Sequence, residues 1–395
     1  MKVKLANRMN AFQESIFSEL TQMKKAEISA GNAVIDLSIG SPDLPPPTFI
    51  SEVVSKYANN PEMYGYSLTG TYEFLEAVST FYARNYAVSL DSKHEVSQLM
   101  GSQDGLVHIP MVFCNPGDYI LVPDPGYTAY ATGAAMAGAN LYPLPLKKEN
   151  QFLPDLKEIP KDVLDKTSML ILNFPGNPVP ALATKEFFEE AIRFANKHNI
   201  IILHDFAYSE LYFDEKPISF LSIEGSKEVG IELNSLSKSF SMAGCRVAYA
   251  IGNREMIHAI NQFKSNIDYG VFFPIQSAAT NALLDESNFL SENRKIYRKR
   301  RDILVNGLNE IGWRVASPKA SMFVWAEIPP SYQSSKQFAI DLIQKAKVVV
   351  TPGVAFGKWG EGYVRMALVQ PEEQLLQTIK QIEKSGILKK SSLIK

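Results

Sequence analysis

Lys238 stands in the run Asn234-Ser-Leu-Ser-Lys-Ser-Phe-Ser-Met-Ala-Gly-Cys-Arg246, at the end of an apolar, β-prone segment, residues 229–236. Hydroxyls precede it at Ser235 and Ser237, and Arg246 follows eight positions on. An amine that must attack a carbonyl gains from rigid placement and a lowered pKa. Hydroxyls and a guanidinium beside it suit a phosphate. Together these residues suit a lysine that forms a Schiff base with a phosphorylated aldehyde. Read alone, the window also fits a surface lysine in a serine-rich turn, because lysine is mostly exposed.

Two further stretches carry similar chemistry. Asp205 closes the almost wholly apolar run Ile200-Ile-Ile-Leu-His-Asp205, at the strand end where open α/β sheets place ligands. A carboxylate there is costly without a positive partner, although helix capping is its simpler role. Gly101-Ser-Gln-Asp-Gly105 follows another apolar run and opens a helix expected to reach Phe113. A helix start offers free N–H groups and the positive end of the macrodipole, which makes Ser102 and Gln103 candidates for a phosphate cradle. Ordinary capping explains the same pattern.

The elements that must position these residues alternate along the chain. Short apolar runs at 96–100, 119–122, 141–146, 169–173, 200–204, 229–236 and 247–251 are separated by loops or helical patterns. One such helix, 184–198, places Phe187, Phe188, Ala191, Ile192 and Ala195 on one face. Strands buried on both sides and alternating with helices predict an α/β fold with a mainly parallel central sheet.

Before the sheet, Phe12, Ile16, Phe17, Leu20 and Met23 recur at helical spacing, three consecutive prolines end at Pro47, and a helix is expected over 72–86. After Asn253 the pattern changes to long helices, to about 267 and then 276–307. A second α/β section over 312–381 follows, with apolar runs at 322–325, 348–351 and 363–368. The expected division is an N-terminal arm (1–47), a large domain (48–285) and a smaller C-terminal domain (286–395), with a Lys/Ser-rich tail after Gly386 that frays. The basic run Arg294-Lys-Ile-Tyr-Arg-Lys-Arg-Arg301 is expected on a solvated helix face.

The Lys238 run resembles the Schiff-base signature of the fold-type I aminotransferases that use pyridoxal 5′-phosphate (PLP). The likeness extends from Asp36-Leu-Ser-Ile-Gly-Ser-Pro-Asp43 to Val364-Arg-Met-Ala-Leu368. It implies that Lys238 tethers the cofactor and moves the substrate proton, and that Asp205 holds the protonated ring nitrogen. Tyr208 and Asn177 would bond the phenolic oxygen, and Tyr127 would stack on the ring. Ser102, Gln103, Ser235, Ser237 and Arg246 would hold the phosphate, while Arg365, with Gly40 beside it, would grip the substrate α-carboxylate. Tyr66, or alternatively Tyr64, would reach the cofactor of a neighbouring subunit, which implies a homodimer. Two departures stand in the Asn177 segment: Val179-Pro180 replaces the usual Thr-Gly, and Gly176 occupies a place where Asn is common.

The implied activity is amino transfer between an L-amino acid and a 2-oxo acid by a ping-pong cycle. The wording is nearest to bacterial enzymes for neutral, aromatic or sulfur-containing amino acids. Diaminopimelate- or aspartate-type transfer, β- or γ-elimination on the same cofactor, and a non-catalytic binding protein are the alternatives. Composition agrees with a cytoplasmic, small-molecule enzyme. Of the 395 residues, 46% are hydrophobic and 21% charged, the net charge is −2, and two cysteines cannot build a disulfide framework. Nothing there points to nucleic acid or a membrane, and the five scattered histidines suggest no metal site.

Overall fold

The computed structural model describes residues 3–12 and 16–388; the tail expected to fray lies outside them from 389 onward, as does the side chain of Phe17. The strands, in chain order, are β1 (Ile35–Asp36), β2 (Val96–Leu99), β3 (Tyr119–Asp124), β4 (Asn140–Pro145), β5 (Thr167–Leu172) and β6 (Ile201–Asp205). They continue as β7 (Gly230–Ser235), β8 (Ala248–Gly252), β9 (Phe323–Glu327), β10 (Val348–Val349), β11 (Thr351–Pro352) and β12 (Tyr363–Ala367). Seven of them form one sheet in the order β2-β8-β7-β6-β5-β3-β4.

The strands from β4 through β7 in that order pair in parallel, while β8 runs antiparallel to both β7 and β2. The sheet is therefore mainly parallel, as expected, with one reversed strand that local apolar content does not distinguish. Its interior strands are buried because helices cover both faces, and they are mostly apolar, with His204 of β6 and Glu232 and Asn234 of β7 among the buried polar exceptions. Phe188, Ile202 and Phe206 belong to the core on one side, and Leu106, Leu203 and Leu233 to the core on the other. The 185–198 helix shows how composition fixes local structure. Thr184 accepts from the Phe187 N–H at its start, and the predicted face of Phe187, Phe188, Ala191, Ile192 and Ala195 is buried.

A third core surrounds an antiparallel sheet ordered β11-β12-β9 and takes in Leu37, Tyr208, Phe323 and Met366. The apolar run at 348–351 divides between two partners: β10 pairs in parallel with β1, and β11 pairs with β12. The expected 276–307 helix is two helices, Phe273–Leu284 and Phe289–Glu310. The Asp285 side chain accepts from the Ser287 N–H and makes the break, a turn that competes locally with helix.

The basic run is not wholly solvated. Arg300 and Arg301 are buried, and Arg300 pairs with Asp43 through two contacts of 2.7 and 2.8 Å. Helix position alone did not show that this face turns inward toward the proline-rich loop. No helix among the described residues is long and apolar enough to cross a membrane.

Candidate active site

Because β3, β5, β6 and β7 are parallel, Asp124, Leu172, Asp205 and Ser235 end at one edge of the sheet. Leu99 and Ser235 both pair with Ala248, so the helix that follows β2, the Lys238 segment and Arg246 converge there as well. A cavity of about 380 Å³ opens at this edge. Gly40, Ser102, Gln103, Tyr127, Asn177, Asp205, Tyr208, Ser235, Ser237, Lys238, Arg246 and Arg365 all line it. Tyr66 does not; it is 82% exposed, with its ring against Tyr269.

Lys238 lies in the short helix Leu236–Ser239 directly after β7, and its Nζ donates to the Gly40 carbonyl at 2.5 Å. Burial, followed by the positive fields of Arg365 and Arg246, lowers its pKa to about 8. Asp205 is buried at the end of β6. Its Oδ2 accepts from the Tyr130 hydroxyl at 3.0 Å and its Oδ1 from the Ala207 N–H at 3.3 Å. Burial raises its carboxyl above the ordinary range, and those two donors oppose the rise.

At the opposite end, the 102–113 helix presents its N-terminus beside two hydroxyls, Ser235 and Ser237, which are 2.9 Å apart. Arg246 adopts a left-handed φ of 52° and donates from Nη1 to the Ala243 carbonyl. A Cβ at Gly101, where φ is +89°, would run into Arg246 Nη2, so glycine is needed for the guanidinium to close over the helix start. Gln103 Oε1 accepts from the Tyr127 hydroxyl at 3.2 Å, so the donors it can offer at the helix start are its backbone N–H and its Nε2.

Arg365, on β12, crosses from the three-stranded sheet into the cavity. Its Nη1 donates to Asn177 Oδ1 at 2.7 Å, and its Nη2 donates to the Ser38 carbonyl at 2.6 Å and to Thr351. The guanidinium carbon lies 4.3 and 4.8 Å from the ring centres of Phe323 and Phe356. Nε is buried with no hydrogen-bond partner among the described residues, a donor left over for an acceptor from outside them. Burial lowers this guanidinium to about 10. Tyr208, which hydrogen-bonds Asn177, is pushed well up by burial.

The departures around Asn177 have local explanations. A Cβ at Gly176 would stand 2.6 Å from the Val179 carbonyl oxygen, so asparagine does not fit this turn. Val179 is buried with Leu146, Trp325 and Phe356 in an apolar cluster beside the cavity.

Several contributors escaped the sequence reading. Asn173 donates to the Asp205 carbonyl at 2.7 Å and accepts from the Asn177 N–H at 2.9 Å, tying two cavity residues together. Arg300 clamps the loop carrying Gly40 through Asp43 and also donates to the Leu368 carbonyl beyond β12. The pair Asp43 and Arg300 lies 257 residues apart, beyond any local pattern.

These residues fit PLP. A helix N-terminus, two hydroxyls and a guanidinium suit a phosphate. A buried carboxylate suits a protonated ring nitrogen, and a lysine amine of lowered pKa suits a carbonyl carbon. Among the described residues no His/Cys/Asp/Glu group could hold a metal ion.

A family model described as "Aminotransferase class I and II" matches residues 32–382. An LL-diaminopimelate aminotransferase of Dehalococcoides mccartyi is 44% identical over 94% of this chain and 96% of its own length. One from Aquifex aeolicus is 41% identical over 96% and 98%. Among solved structures, substrate-bound BacF from Bacillus subtilis superposes with a TM-score of 0.93 at 39% identity, covering 97% of this chain and 98% of that one. A variant Thermus thermophilus aspartate aminotransferase gives 0.91 at 25% identity, covering 97% and 100%.

Proposed function

We propose, for a chain that belongs to the class I and II aminotransferase family and uses PLP, that its amino donor is an L-amino acid with an uncharged side chain, aromatic and sulfur-containing ones included. The amino group passes to a 2-oxo acid in a ping-pong cycle. One observation carries this preference. The charged residues lining the cavity are Lys238, Asp205, Arg246 and Arg365, and each already has a task; the rest of the lining, including Ile39, Thr128 and Phe356, is uncharged.

Bound here, PLP supplies a carbonyl carbon for an amine and a ring that accepts electrons from the substrate Cα. Lys238 would hold the cofactor in the resting enzyme, and its amine would be the group that accepts the substrate Cα proton as a base and delivers it elsewhere as an acid. Asp205 would hold a proton at the ring nitrogen. Asn177 and Tyr208 would bond the phenolic oxygen. The 102–113 helix start, Ser102, Ser235, Ser237 and Arg246 would hold the phosphate, and Tyr127 would pack on the ring. Arg365 grips the α-carboxylate with its planar fork, and Gly40 leaves room beside it.

We further infer a homodimer at work in the cytoplasm. Tyr64, Tyr66, Tyr72, Tyr269 and Phe272 are exposed aromatic residues, the kind of surface a second copy covers. Tyr64 donates to its own Ala58 carbonyl, which favours Tyr66 as the residue reaching across. Cys114 and Cys245 are free thiols, in keeping with a reducing compartment.

The names of the relatives favour a second substrate, LL-diaminopimelate, whose far end carries an ammonium and a carboxylate. Recognising it requires charges beyond those in this cavity, supplied across the dimer. A donor panel of phenylalanine, tyrosine, methionine, glutamate and LL-diaminopimelate, scored by 2-oxo acid production with Lys238→Ala as the blank, separates the two. A kcat/KM for LL-diaminopimelate above the neutral donors overturns the uncharged-side-chain preference.

A further inference from the structure

Tyr130 is the second residue of the helix Ala129–Ala137 and is 2% exposed. That helix seats closely on the 102–113 helix: a Cβ at Gly133 would strike the Leu106 carbonyl oxygen, so glycine permits the approach. The seating carries the Tyr130 ring under the cavity floor, among Leu106, Ile171 and Leu203. There it makes two contacts. Its hydroxyl donates to Asp205 Oδ2 at 3.0 Å, and its ring stands edge-on to Tyr127, with centroids 6.0 Å apart at 86°.

We propose that Tyr130 is a positioning residue for the cofactor's ring nitrogen. It acts through Asp205, whose carboxylate it orients and keeps anionic, and through Tyr127, whose ring plane it buttresses. This rests on Asp205 facing that nitrogen. Among the described residues the carboxylate has two donors, Tyr130 and the Ala207 N–H, and the latter is the longer contact at 3.3 Å. Without the phenol, the buried carboxylate loses its shorter hydrogen bond, and a proton shared with the ring nitrogen moves toward the oxygen.

The test compares apoprotein affinity for PLP with that for 1-deaza-PLP, which keeps the aldehyde, phenol and phosphate but has carbon in place of the ring nitrogen. The proteins are wild type, Tyr130→Phe, Asp205→Asn and the double variant; binding is read by equilibrium dialysis. Phenylalanine keeps the ring and its packing. A hydrogen bond to a charged group is among the stronger ones in a protein, so Tyr130→Phe should reduce the preference for PLP over the deaza analogue by on the order of tenfold or more. Adding it to Asp205→Asn should change that preference by less than about twofold, because the acceptor charge is gone.

A purely structural role would lower the melting temperature of the apoprotein and weaken both ligands equally; that result overturns the proposal. If Asp205→Asn itself leaves the preference unchanged, Asp205 does not face the ring nitrogen and the assignment beneath the proposal fails instead. If Asp205→Asn removes the preference and Tyr130→Phe does not, Tyr130 alone is excluded.

Discussion

In the apoprotein the Lys238 amine should titrate near pH 8 rather than at its ordinary 10.5, because burial and the fields of Arg365 and Arg246 oppose its charge. At pH 7 a pKa of 8 leaves about one amine in ten neutral, on the order of 300-fold more than an ordinary lysine provides. The rate at which apoprotein captures PLP, followed by absorbance from pH 6.5 to 10.5, should rise roughly tenfold per unit and level off near pH 8. Arg365→Gln removes the larger of the two neighbouring charges and should move the plateau to higher pH.

Stability carries the same signature with a definite sign. Between the folded value of about 8 and the unfolded value of 10.5, the unfolded chain binds more protons, so apoprotein stability rises with pH through that window. Below pH 8 the full penalty, ~3 kcal/mol at 1.36 kcal/mol per unit, is present. Lys238→Met should therefore be more stable than wild-type apoprotein at pH 7, and the gap should close toward pH 10.5. A capture rate that still climbs steeply beyond pH 9.5, with no stability gap at pH 7, would refute the account.

Arg365→Lys keeps the charge but loses the fork anchored by Asn177 and Ser38, so kcat/KM should fall by on the order of 100-fold or more; a loss below tenfold contradicts bidentate carboxylate binding. Gly101→Ala must displace Arg246 and strain a φ of +89°, and equilibrium dialysis should show PLP affinity reduced by about tenfold with the circular dichroism spectrum retained. Asp43→Asn leaves the buried Arg300 without its anion and should cost about 3 kcal/mol in denaturant unfolding, with KM raised through the loop that carries Gly40. Tyr66→Phe should weaken PLP retention several-fold while the sedimentation profile matches the wild type; unchanged retention would direct attention back to Tyr64.

Much of the cavity was legible because its chemistry sits in short windows. Lys238 with its serines and Arg246, Asp205 at a strand end, and the Gly101 helix start each combine residue type with immediate context. The apolar runs marked the strands for the same reason, since burial on both faces demands apolar side chains at successive positions. Gln103 was legible only in part: its place at the helix start was local information, but the tie of its amide to Tyr127 was not.

Residue type and local spacing thus determined which segments are strands or helices and which side chains could do chemistry. Only the closed chain decided that β8 runs backwards between its neighbours and that the 348–351 run feeds two different sheets. It also decided that Tyr130 meets Asp205 across 75 residues, and that Arg365 meets Asn177 across 188 and Ser38 across 327. Hydrophobic periodicity is a property of neighbours along the chain. The direction of a pairing, or the donor that reaches a buried acceptor, depends on which surfaces pack together, and no local window contains both partners.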